Sequence, residues 1–134
     1  MASKFWGSYL LTKYAQIADR GSIVLFSGIF SRRPSPGYGV LAAINAAVEA
    51  FGRALALELA PVRVNVVSPG LVDTPVYAGM PQQQREAFWQ STADKLPVKG
   101  IGQPEDIAAT VLYLLENSYT TETVIDVDGG SLLV

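Results

Sequence analysis

The stretch Glu49-Ala-Phe-Gly-Arg-Ala-Leu-Ala-Leu-Glu-Leu-Ala-Pro61, followed at once by Arg63-Val-Asn-Val-Val-Ser-Pro-Gly70, decides the architecture of this chain. Its first part ends a proline-free run, Leu41 to Ala60, rich in Ala, Leu and Glu, residues that lose little rotamer freedom in a helix. A long helix closed by Pro61 is predicted, with Glu49 and Arg53 spaced for an i,i+4 ion pair on one face. The second part carries Val62, Val64, Val66 and Val67, the β-branched pattern of a strand, and Ser68-Pro69-Gly70 ends it sharply.

Toward the N-terminus, Ser22-Ile-Val-Leu-Phe-Ser27 is a continuous apolar run bounded by Gly21 and Gly28, as expected of a strand covered on both faces. Before it, Phe5 to Ala18 places apolar residues at Phe5, Tyr9, Leu10, Ala15 and Ile17, an imperfect helical pattern stopped by Asp19-Arg20-Gly21. Gly28 to Gly39, with Pro34, Pro36 and Gly37, is predicted to be loop. Toward the C-terminus, Pro75 to Pro97 is a mostly polar excursion whose Gln82 to Ala93 part suits a helix. Pro104-Glu105-Asp106 opens another helix, to about Glu116, because proline fits a first helical position and acids fit the first turn. Thr123 to Val127 is a third strand, and Asp128-Gly129-Gly130 turns out of it. Helix, strand, helix, strand, helix, strand is an α/β order, with a parallel sheet and right-handed crossovers.

With 134 residues and 49% apolar content, the chain is the size of one domain with a real core. Ten basic and twelve acidic residues leave a net charge of −2, and no basic run exceeds the Arg32-Arg33 pair, so no nucleic-acid partner is expected. There is no cysteine and no histidine, which excludes disulfides, thiol nucleophiles, Cys/His zinc sites and histidine-based triads. No metal site is expected. The stretch from Met1 to Thr12 is broken by Trp6-Gly7-Ser8 and matches neither a signal peptide nor a membrane span, so no membrane contact and a cytoplasmic location are expected.

Three stretches in series carry a resemblance: the Glu49 to Gly70 segment, Gly102-Gln-Pro-Glu-Asp-Ile-Ala108, and Val127-Asp-Gly-Gly130. Together they resemble the C-terminal half of a short-chain dehydrogenase/reductase. The implied fold is the second half of a Rossmann-type, doubly wound parallel sheet, and the implied cofactor is NAD or NADP. Family members run to roughly twice this length, and their first half carries Thr-Gly-x-x-x-Gly-x-Gly, whose glycines let backbone N–H groups reach the pyrophosphate at a helix N-terminus. Gly28, Gly37 and Gly39 lack that spacing, so the adenosine half of a dinucleotide has no seat in this chain alone.

The resemblance also implies an active site of Ser, Tyr, a Lys four residues later, and an Asn from the preceding helix. In that family the Tyr donates a proton, the Lys lowers its pKa and binds the ribose, the Ser orients the carbonyl and the Asn holds a water relay. Anchoring on Ala46-Ala-Val-Glu-Ala-Phe51 puts Leu41 at the Tyr position and Asn45 at the Lys position. The family spacing places Gly28 at the Ser position, with Ser27 one place earlier, and Lys4 at the Asn position. All four depart, so hydride transfer by this chain is not expected. Ser27 as a carbonyl-binding hydroxyl, Tyr38 as a substitute proton donor and Lys4 as a relocated amine stand as candidates beside ordinary roles in capping, packing and solvation. Pro69, Gly70, Val72 and Thr74 follow the family pattern better, and there they imply contact with the nicotinamide carboxamide and a nearby phosphate. Two functions remain side by side: an oxidoreductase of this family, or a non-catalytic structural or binding relative. A homodimer or homotetramer is expected, because the Ser22 to Ser27 strand lacks a neighbour and Ala42, Ala43, Ala46, Ala47 and Ala50 give the long helix a small-residue surface.

Overall fold

A computed structural model describes residues 2–134. After a π-helical turn, Ala2–Trp6, the elements are α1 (Gly7–Tyr14), β1 (Ser22–Phe26), α2 (Gly39–Glu58), β2 (Arg63–Pro69), α3 (Gln82–Ala93), α4 (Pro104–Glu116) and β3 (Val124–Val127). The three strands form one parallel sheet in the order β1-β2-β3, with Ile23 opposite Val64, Leu25 opposite Val66 and Val67 opposite Ile125. This is the α/β fold expected, with strand ends displaced by a residue or two.

Successive strand residues point to opposite faces, and the two faces take different helices. Ile23 and Leu25 of β1 and Val64 and Val66 of β2 meet Val48 and Leu55 of α2. The approach is close because of Gly52: a Cβ there would lie 2.6 Å from Val66 Cγ2. On the other face α4 closes the sheet through the fully buried Leu114, and the Ser22 hydroxyl and Arg63 guanidinium both donate to its carbonyl. By length and composition α2 is apolar enough to cross a membrane, but a third of that window is buried inside the protein, where α2 packs on the sheet.

Two expectations need correction. The first helix ends at Tyr14 rather than Ala18, and Ala15 is extended. Thr12 turns its hydroxyl back to the carbonyls of Ser8 and Tyr9, a local bond that competes with helix continuation, and Gly21 closes a tight turn onto the Ala18 carbonyl. Glu49 makes no pair with Arg53: it lies on the buried face of α2, while Arg53 is exposed. By contrast α4 begins and ends as expected, its first turn fixed by the Gln103 N–H donating to Asp106 Oδ2 at 2.8 Å. The predicted loop between β1 and α2 contains a short 3₁₀ turn, Ile29–Ser31.

Candidate functional site

Because β1 and β2 run parallel, the ends of both strands, Ser27-Gly28 and Pro69-Gly70, lie along one edge of the sheet, where open α/β sheets bind ligands. At the β1 end, four of the residues singled out from the sequence form one hydrogen-bonded group. Lys4 Nζ donates to the Ser27 carbonyl and to Asn45 Oδ1, each at 2.7 Å, and Asn45 Nδ2 donates to the Gly28 carbonyl at 3.2 Å. Asn45 is almost fully buried, and burial holds the Lys4 amine below the ordinary lysine range. The amine and the amide at the positions where the resemblance implies Asn and Lys are thus bonded to each other across 41 residues of sequence. A Cβ on Gly28 would lie 3.0 Å from Asn45 Nδ2, so a serine there would crowd the amide.

Ser27 is buried, and its hydroxyl faces inward, donating to Glu49 Oε1 at 2.6 Å and to the Asn45 carbonyl at 3.3 Å. Glu49 accepts a second hydroxyl from Ser31 at 2.5 Å, and Arg32 lies 4.0 Å from the same oxygen while gripping Asp126 with both guanidinium nitrogens. Reading Glu49 as half of a surface pair missed this. The signal available was its position four residues after Asn45, on the face that carries Val48 and Gly52. Leu41 sits one turn before Asn45 on α2, and nothing in its side chain can donate a proton. Tyr38 lies apart from the Lys4 group, half-exposed and stacked on Phe30 at 4.9 Å.

At the β2 end, Pro69, Gly70, Val72 and Thr74 come together with Val76, Tyr77, Pro104 and Ile107 around a cavity of about 370 Å³. Gly70 is required here: a Cβ would lie 2.7 Å from the Asp128 backbone. Tyr77 was not anticipated, because Pro75-Val-Tyr77 is a short turn without periodic signal. Its ring stands edge-on to Trp89 at 4.8 Å, and burial, with the nearby Tyr38 second, pushes its phenol above the ordinary value. The phenol therefore stays protonated at neutral pH. A larger cavity, about 500 Å³, lies between the 96–102 loop, α4 and the end of β3, and includes none of the predicted residues. Its two acids are already engaged: Asp106 caps α4, and Asp128 accepts from the Gly130 and Leu132 N–H groups and the Ser131 hydroxyl. Burial alone would raise the Asp128 carboxyl, but those three bonds and the Arg32 charge outweigh it and hold it below the usual value.

A family model described as enoyl-(acyl carrier protein) reductase matches residues 1–131. The chain belongs to the short-chain dehydrogenase/reductase family. It is 41% identical over 114 residues to the short-chain dehydrogenase/reductase ATR9 of Stachybotrys chlorohalonatus (strain IBT 40285), covering 85% of this chain and 45% of that one. It is 36% identical to the short-chain dehydrogenase/reductase MalC of Malbranchea aurantiaca, covering 92% of this chain and 47% of that one. Among solved structures, a small-chain dehydrogenase in complex with NADPH superposes with a TM-score of 0.94 at 50% identity, over 98% of this chain and 61% of that one. The chain thus spans about half the length of the curated relatives it matches.

Proposed function

We propose that these residues form the substrate-side half of an NAD(P)-dependent oxidoreductase, and that the 134-residue chain alone does not transfer hydride to a carbonyl. The β2-end cavity carries the first part of this reading, because the four residues expected to face a nicotinamide ring wall one space of suitable size, with the Tyr77 ring on its border. A bound NAD(P)H would supply the hydride. This chain's part is then to hold the ring against Pro69 and Gly70, to offer the Thr74 hydroxyl to the carboxamide, and to exclude water with Tyr77 and Ile107.

The β1-end group carries the second part. Leu41 has no proton to give a developing alkoxide, and Asn45 carries no charge with which to stabilise a phenolate. The Ser27 hydroxyl is committed to Glu49 and buried away from solvent. Without a glycine-rich loop for the pyrophosphate, the ring would also be poorly oriented, and orientation contributes about 7–11 kcal/mol in well-aligned intramolecular reactions. The inward Ser27 hydroxyl equally favours the alternative of a non-catalytic binding member of the family.

The test is fluorescence titration of the purified chain with NADPH and NADH, followed by an assay for reduction of simple ketones. Weak or absent cofactor binding without turnover is expected, and Leu41→Tyr with Asn45→Lys is expected not to restore it. Turnover by the unmodified chain that disappears in Tyr38→Phe would overturn this reading and make Tyr38 the donor.

A further inference from the structure

Two aromatic groups meet beside the β2-end cavity, and excluding water does not account for both. In the first, the Tyr77 ring stands edge-on to Trp89 of α3 at 4.8 Å and lies 6.4 Å from Phe88, while Phe88 and Trp89 are 5.3 Å apart. Two ring neighbours thus fix the orientation of Tyr77, the aromatic residue of the cavity lining. In the second, Tyr38 stacks on Phe30 at 4.9 Å with 21° between the planes, and its phenol is close enough to that of Tyr77 to oppose its ionisation. None of these five rings lies on α1 or β1. Tyr38 and Phe88 keep a large part of their surface in water, as do Val40 and Val76, close to them in the chain. Apolar side chains gathered at the surface in this way mark a site of contact.

The polarity of the space narrows what it takes. Among the described residues, none in the lining carries a formal charge, and Thr74 and Tyr77 supply its polar side chains. Tyr77 stays protonated at neutral pH, so it offers a neutral hydroxyl, and the lining holds no carboxylate to balance a cation over the rings. At about 370 Å³ the cavity lies near the small end of ligand sites, so a nicotinamide ring seated in it leaves the bulk of a substrate at the mouth. There the side chains at hand are the two tyrosines and Val76.

We propose that the substrate is a flat, uncharged aromatic ketone or aldehyde held between Tyr38 and Tyr77, with Tyr77 the residue that sets this preference. This rests on the reading of the β2-end cavity as the nicotinamide side of the site. Offset or edge-to-face packing on the tyrosines adds to ordinary apolar burial only when the ligand is itself aromatic, because it depends on the quadrupoles of both partners. A saturated ketone of the same skeleton buries at least as much apolar surface and gains none of it. Hydrophobicity alone therefore favours the saturated ligand, and the rings reverse the order.

Titration of the isotopically labelled chain, followed by nuclear magnetic resonance, tests this with acetophenone, cyclohexyl methyl ketone and benzoate as probes. The Trp89 indole N–H, buried beside Tyr77 without a hydrogen-bond partner, gives a signal that Trp6→Phe distinguishes from the other indole of the sequence. Acetophenone should move the Trp89 and Tyr77 signals saturably and bind about fivefold more tightly than cyclohexyl methyl ketone. Benzoate, whose charge finds no partner in the lining, should bind about tenfold more weakly than acetophenone. Tyr77→Leu should bring the two ketones to equal affinity or reverse their order, and Tyr77→Phe should keep the preference, because the ring and not the hydroxyl sets it. Tyr38→Leu, at a half-exposed position where the fold is not at stake, should reduce the preference without abolishing it. Equal affinity of the two ketones for the unmodified chain, a preference that survives Tyr77→Leu, or no saturable shift with acetophenone overturns the proposal, as does benzoate binding as tightly as acetophenone. The titration contains no cofactor, so the cofactor reading of the cavity stands or falls separately, on the titration with NADPH.

Discussion

Glu49 is the residue whose replacement tests the β1-end geometry most directly. Its Oε1 accepts Ser27 at 2.6 Å and Ser31 at 2.5 Å, tying the strand end and the turn after it to α2. Hydrogen bonds to a charged group contribute about 1.5–3 kcal/mol each, and a buried donor left without a partner costs about 1–3 kcal/mol. Ser27 is buried and counts in full, whereas Ser31 is half-buried and counts toward the low end. Glu49→Ala should therefore cost about 3–4 kcal/mol, out of the roughly 7–20 kcal/mol expected for a domain of this length. The variant should fold, with a midpoint lower by roughly 10 °C. Glu49→Gln keeps a carbonyl oxygen with two lone pairs at the same place, so it should lose only about half as much. The decisive variant is the triple replacement Ser27→Ala, Ser31→Ala, Glu49→Leu. Removing donors and acceptor together leaves nothing unsatisfied, so it should be more stable than Glu49→Ala despite carrying two further changes. Urea unfolding followed by tryptophan fluorescence and circular dichroism, with m-values compared, gives the free energies. A Gln variant as damaged as the Ala variant, or a triple variant whose loss equals the sum of its parts, would refute the bonding scheme.

Three further outcomes follow from the same structure. The Asp128 carboxyl is held below its ordinary value, so the stability it contributes is present above the unfolded carboxylate pKa near 3.8 and is lost as pH falls through the lower folded value. Asp128→Asn should cost about 1–2 kcal/mol at pH 7 by weakening the bonds to Gly130, Ser131 and Leu132, and should flatten the acid limb of stability against pH; an unchanged limb would remove Asp128 from that role. Gly28→Ser should destabilise the wild-type chain by about 1 kcal/mol by crowding the Asn45 amide, yet become neutral or stabilising with Asn45→Ala, where the strand end gains from losing a glycine; equal effects in both backgrounds, read by urea unfolding, would show that the contact is absent. The exposed Ala43, Ala46 and Ala50 of α2 line a face about 30 Å long on which a second copy could bury about 800 Å² per partner, so sedimentation velocity should find a dimer or tetramer, and a compact 14.3 kDa monomer would defeat that expectation.

The elements themselves were legible because burial writes a period into sequence. The Leu41 to Ala60 run, the valines of β2 and the Pro104 start of α4 each carry a local signal, and each appears within two residues of its expected bounds. The end of α1 was not legible, because Thr12 and Tyr14 continue a helical pattern while the side-chain bond that stops it depends on geometry. Glu49 shows the same limit in another form. Four-residue spacing offers it both a neighbour on the helix and a place on the buried face, and only the position of β1 decides between them. The β2-end cavity was half legible: Pro69 to Thr74 announced itself as a sharp strand end, but Tyr77 enters from a turn with no periodicity.

The residues that stand where the resemblance implies the catalytic set are not independent of one another. Lys4 stands where the resemblance implies an asparagine and Asn45 where it implies a lysine, and the two side chains are bonded at 2.7 Å. An amine and an amide are thus paired between the start of the chain and α2. The Asn45 amide then turns its Nδ2 to the Gly28 carbonyl, at a distance that leaves no comfortable room for a side chain on residue 28. A serine at that position would meet the Asn45 amide. Ser27, one residue earlier, faces the opposite way in the pleat and gives its hydroxyl to Glu49 instead. Random loss of function would leave buried polar groups orphaned at these sites. Here Lys4, Asn45 and the Gly28 carbonyl satisfy one another in one hydrogen-bonded group, in which Leu41 takes no part.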